Sequence, residues 1–100
     1  MSSPSELRWR SVPPDAIAWR EWDGEFVVRN ERSGSSHLLG LLAGRVLQVL
    51  LDADRALGVE DIAVKLSSDL AAADVRDRHA LIEEVLSEFH RLGLAENEPR

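Results

Sequence analysis

The chain of 100 residues contains no cysteine and no tyrosine, has a single methionine, and only 5% of it is aromatic. Without cysteine there is no disulfide framework, no thiolate nucleophile and no sulfur-ligated zinc site. Stability must therefore come from an apolar core, which suits a cytoplasmic protein. Long apolar runs are missing too. The longest candidate, Leu38 to Leu51, is interrupted by Gly40, Gly44, Arg45 and Gln48, too short and broken to span a bilayer. The opening MSSPSELRWR lacks the apolar segment of a secretion signal. Neither a membrane partner nor export is expected. Gly40 and Gly44 lie in or beside an apolar helical stretch, not between a strand and a helix, so no phosphate-cradling loop is read.

What is present describes one small folded unit. Hydrophobic residues make up 44% and charged residues 30%, outside the disordered range. A chain this short buries only about two thirds of its unfolded surface and has room for one core. The net charge of -6 is unevenly placed. Acidic and basic residues balance in the first half, and acidic ones are twice as many in the second. An acidic half repels phosphate, which argues against nucleic acid as the main partner.

Along the chain, Pro4 and Pro13-Pro14 mark residues 1-15 as an extended arm or a short extra strand, and the weak alternation of Leu7, Trp9 and Ser11 does not decide between them. Ala16 to Trp22 reads as a strand with Ile17 and Trp19 on one face. Asp23-Gly24 supplies a tight turn, because both of its central positions need positive φ. The return strand Glu25 to Asn30 alternates Phe26 and Val28 against Val27, and NERSG, residues 30-34, is a turn by composition. Ser35 to Leu39 forms a third, weakly apolar strand, which marks it as an edge with unpaired backbone groups.

Helical spacing predicts a first helix from Leu41 to Asp52, carried by Leu42, Val46, Val49 and Leu50. A second runs from Val59 to Leu66, with Glu60 and Asp61 in its first turn. A third starts at Asp74 as N-cap and ends at Leu92 before Gly93, with Ile82, Val85, Leu86, Phe89 and Leu92 as its core stripe. The fold class is α+β, winged-helix-like, with a three-stranded antiparallel sheet followed by three helices. Residues 1-15 are expected to be an arm, 16-95 the domain and 96-100 a tail.

At this point residues 19-50, the VEDIAVKL stretch and LIEEVLSEFHRLGLAE together resemble the PqqD family of peptide chaperones, the RiPP recognition elements. The branch associated with HPr-kinase-related proteins is the most similar, through the segment Ser33, Gly34, Ser35, Ser36, His37, Leu38 and Leu39. The resemblance implies a non-catalytic domain that captures a precursor (leader) peptide as a fourth strand, in a cleft walled by the third helix, and presents it to a modifying enzyme of the same system. It implies Ser35, Ser36, His37, Leu38 and Leu39 as the edge and Leu81, Glu84, Val85 and Glu88 as the wall. Strand addition draws affinity from main-chain hydrogen bonds and specificity from adjoining pockets, which agrees with such an edge. An acidic wall of this kind is expected to favour a leader carrying Lys or Arg.

Other readings of the same residues are plainer. His37 reads as a polar edge residue, and His79 and His90 are too far apart on one helix to share an ion. Glu83, Glu84, Glu88 and Asp77 read as a solvated helix face, and Asp52 and Asp54 as a helix end. Neither a metal nor a cofactor is expected. Trp19 is expected to cover the core and Trp9 to stay exposed. A DNA-binding winged helix is disfavoured, because Arg76, Arg78 and Arg91 on the third helix are outnumbered by Asp74, Asp77, Glu83, Glu84 and Glu88. The open edge equally suits a homodimer formed by pairing with a second copy.

Overall fold

The computed structural model describes residues 7-53, 55-68 and 75-99. Its strands are β1 (Leu7–Ser11), β2 (Ile17–Trp22), β3 (Glu25–Asn30), β4 (Ser36–Leu39), β5 (Leu57–Gly58) and β6 (Ala95–Pro99). Its helices are α1 (Leu41–Asp52), α2 (Val59–Lys65) and α3 (Val75–Leu92), and a single 3-10 turn, Pro14–Ala16, leads into β2. The strands form two antiparallel sheets, ordered β2-β3-β4 and β5-β1-β6. The architecture is therefore α+β and winged-helix-like, with the expected meander joined by a second sheet.

The second sheet takes residues 7-11 as the extra strand, one of the two readings of the N-terminal stretch, and departs from expectation in making a strand of residues 95-99. Residues assigned to an N-terminal arm and a C-terminal tail meet in it, Arg8 opposite Glu98 and Arg10 opposite Glu96. Arg10 also reaches diagonally to Glu98 at 3.5 Å. The AENEP segment shows no apolar alternation. What makes it a strand is the chain reversal before it and the waiting β1. Gly93, at φ 74°, lets the Leu94 N–H donate to Phe89 O (2.9 Å) and its own N–H donate to His90 O (3.2 Å), closing α3 with a Schellman cap. The Val12 N–H then donates to Leu94 O at 3.1 Å and locks the two ends together.

This topology reverses the expectation for the tryptophans. Trp9 lies on the central strand of its sheet and is only 4% exposed, its ring edge-on to His90 at 6.2 Å. Trp19 shares the inward face with Val28 and leans on Phe26 at 5.7 Å, yet is 43% exposed because α1 lies over β3 and β4 and leaves β2 uncovered. Trp22 stands out at the hairpin, where Asp23 (φ 53°) and Gly24 (φ 81°) form the tight turn that DG favours.

The core joins both sheets to the helices. Phe26, Val28 and Leu39 meet Val46, Leu47 and Leu50 of α1 and Ile82, Leu86 and Phe89 of α3, and each of these large side chains contributes about 1.5–3 kcal/mol by leaving water. The close fit of α1 on the sheet depends on Gly44. Any Cβ there would overlap the Phe26 ring, so the helix approaches β3 only because that position carries no side chain. The helix limits follow the periodicity closely at α1, and α2 ends at Lys65 with Leu66 as its C-cap. The expected N-cap Asp74 lies outside the described residues.

Candidate functional site

Strand β4 is held by its turn. Asn30, the one polar residue in the buried set described, accepts at Oδ1 from the backbone N–H groups of Arg32 (2.9 Å) and Ser33 (3.4 Å). Its Nδ2 donates to Gly93 O at 3.3 Å, across 63 positions of sequence. One side chain thus shapes the β3–β4 turn and fastens it to the end of α3, which sets the distance between β4 and that helix. The Asn30 N–H donates to Ser35 O (2.8 Å) and the Gly34 N–H to Asn30 O (2.7 Å).

These bonds fix which backbone groups of β4 are used. Antiparallel strands alternate hydrogen-bonded and non-bonded pairs. With Asn30 bonded to Ser35, and Val28 opposite His37 and Phe26 opposite Leu39, the odd positions 35, 37 and 39 turn their backbone toward β3. Ser36 and Leu38 therefore turn their N–H and C=O groups outward. The sheet ends at β4, so no described strand meets that edge.

Side chains alternate the other way. His37 and Leu39 point with Val28 and Phe26 toward the helices, half-buried and buried respectively, while Ser36 and exposed Leu38 point to the outer face. Leu38 there joins Val27 and Trp22 in an exposed apolar stripe.

Helix α3 runs alongside the open edge and leaves two hollows. One, about 250 Å³ and mostly apolar, is lined by Leu39, Ala43, Glu84, Val85, Glu88 and Phe89. The other, about 490 Å³, is lined by residues 36-40 together with Ala43, Glu88, Arg91 and Leu92. The groove is thus apolar at the Leu39 end and polar at the His37 end.

The polar end is electrically balanced. Arg91 grips Glu88 with two donors, Nε to Oε2 at 3.0 Å and a terminal nitrogen to Oε1. The hydrogen bond from Arg91 holds the Glu88 carboxyl below the ordinary carboxylate range, opposed by desolvation and aided by the charges of Arg91 and His37. The same bond holds the Arg91 guanidinium protonated still more firmly. The wall is therefore not uniformly acidic, as the carboxylates of α3 alone suggest. His37 Nε2 lies out of solvent and has no hydrogen-bond partner among the described residues.

Of the residues singled out from sequence, the groove brings together Ser36, His37, Leu38, Leu39, Glu84, Val85 and Glu88. Ser35 belongs instead to the turn, and Leu81, 38% exposed, lines neither hollow. Gly40, Ala43, Phe89, Arg91 and Leu92 complete the lining and were not foreseen. Arg91 was legible as an i,i+3 partner of Glu88, a spacing that brings side chains together on a helix.

No family model matches the sequence, and no curated protein matches it. Among solved structures the chain is similar to a lasso peptide synthetase B1 complexed with the leader peptide. The identity is 26% and the TM-score 0.64, over 88% of this chain and 96% of that one.

Proposed function

We propose that this chain is a leader-peptide-binding module that holds an extended precursor segment as a fourth strand on the outer edge of β4, over α3. The observation that carries the reading is the pair of outward backbone positions, Ser36 and Leu38, beside a groove that nothing in the described chain fills. An edge of this kind supplies main-chain hydrogen bonds, and the adjoining hollows supply side-chain selection. The likeness to a lasso peptide synthetase B1 complexed with the leader peptide supports leader-peptide binding. In this reading the module carries out no chemistry itself. It raises the local concentration of the substrate for a modifying enzyme of the same system, for which an HPr-kinase-related protein is the candidate.

Titrating the ¹⁵N-labelled protein with peptides encoded beside its gene tests the reading. The Ser36 and Leu38 amides are expected to shift most, and Ser36→Pro to abolish binding while leaving the fold intact, because proline removes only an outward donor. Shifts centred elsewhere, or undiminished binding by Ser36→Pro, would overturn it. The same edge also suits pairing with a second copy. Size-exclusion chromatography across concentrations separates the two, since a dimer that survives saturating peptide favours self-pairing.

A further inference from the structure

Resting on the peptide-binding reading, we infer that the groove selects a peptide carrying an apolar residue followed, two positions later, by a side-chain amide, Asn or Gln. The spacing comes from the strand. Successive side chains alternate faces, so the peptide residues lying beside Leu39 and His37 are two apart and both turn toward α3. The neighbouring strands are all antiparallel, the pairing that is more stable per residue, so the peptide meets Leu39 first and His37 second.

The chemistry comes from the two hollows. Beside Leu39 the lining of Ala43, Val85 and Phe89 takes an apolar side chain. Beside His37 the needs are different. Arg91 spends two of its five donors on Glu88 and keeps three, while Nε2 of His37 is withdrawn from water without a partner. A carboxylate entering there meets Glu88, and a lysine or arginine meets Arg91. A neutral amide escapes both conflicts. Its oxygen accepts from Arg91, and its nitrogen donates to Nε2 or, when Nε2 carries the proton, the second lone pair of the same oxygen accepts from Nε2, so either imidazole tautomer is satisfied. An apolar side chain at that place leaves the buried ring nitrogen unpaired, a standing cost.

Phage display of random peptides against the immobilised full chain tests this, followed by affinities of the synthetic peptides and their ¹⁵N shift maps. Enriched sequences are expected to carry apolar-x-Asn or apolar-x-Gln. Replacing the amide by Leu should weaken binding about fivefold, as for one hydrogen bond. Arg91→Met and His37→Ala should each erase that preference while still binding the Leu-substituted peptide, and the exposed position of Arg91 keeps its variant folded. Peptides that shift Ser36 and Leu38 but carry a charged or apolar residue at the second position, or the reverse order, would overturn this inference alone. If no enriched peptide shifts those amides, strand addition falls with it.

Discussion

Strands β4 and β6 both end a sheet, and they treat their exposed rims differently. Strand β6 carries Glu96 and Glu98 and finishes at Pro99, features that discourage another strand from pairing. Strand β4 reads Ser-His-Leu-Leu, with no residue of fixed charge, and its outward positions carry a small hydroxyl and an exposed leucine. Strand β2, the third long rim, carries Arg20 and Glu21. Among the described residues the unguarded rim is thus the one that faces a groove. Edges left open at a cost in aggregation risk call for a reason, and peptide capture supplies one.

The sharpest way to break this contrast is to guard β4 as β6 is guarded. Leu38→Glu places a carboxylate on the rim, and Ser36→Pro deletes a donor. Both are expected to eliminate measurable binding of the leader peptide in anisotropy titrations, with thermal midpoints close to the parent. The reciprocal change, Glu98→Ser on β6, should leave peptide affinity unchanged.

Next in size are changes that loosen the hold on β4. Asn30→Ala removes the link to Gly93 and leaves two turn N–H groups unpartnered, at a cost of about 1–3 kcal/mol in urea denaturation. Asn30→Asp keeps the acceptor but loses the donor, so it should restore the turn without restoring the tie to α3. Gly44→Ala gains helix propensity yet forces the Phe26 ring aside, and overpacking of roughly 1–3 kcal/mol should win, read as a lower urea midpoint.

The smallest expected effect concerns the ion pair in the groove. Glu88 has a carboxyl pKa lowered mainly by its bond from Arg91, so its contribution to stability is present above the ordinary carboxylate range and is lost as pH falls through the lowered value. The difference between the parent and Glu88→Gln should therefore be present at neutral pH and vanish in acid, in paired thermal melts at low salt. The pair is solvent-exposed, which keeps the difference small.

Much of the fold could be read from spacing alone. The helical periodicity of Leu42, Val46, Val49 and Leu50 delimits α1, Gly93 closes α3, and DG closes the hairpin, because each is a local signal with a local cause. The unread parts depend on distant partners. AENEP becomes a strand only because β1 lies beside it, and the same pairing buries Trp9 while the absence of a covering helix leaves Trp19 in solvent. At the groove, Ser36 to Leu39 and Val85 could be picked out by pattern and by resemblance. The bond from Asn30 to Gly93 spans most of the chain, and the balance struck by Arg91 against Glu88 changes the apparent charge of the wall. Neither is visible when carboxylates are simply counted along a helix.

Backbone amide hydrogen exchange at Ser36 and Leu38 tests the central claim most directly. In the free protein at low concentration both amides should exchange rapidly, while those of His37 and Leu39, bonded to β3, exchange slowly, and saturating leader peptide should slow Ser36 and Leu38 alone. Slow exchange at these two positions in the free monomer, or exchange unchanged when the peptide is bound, would contradict it.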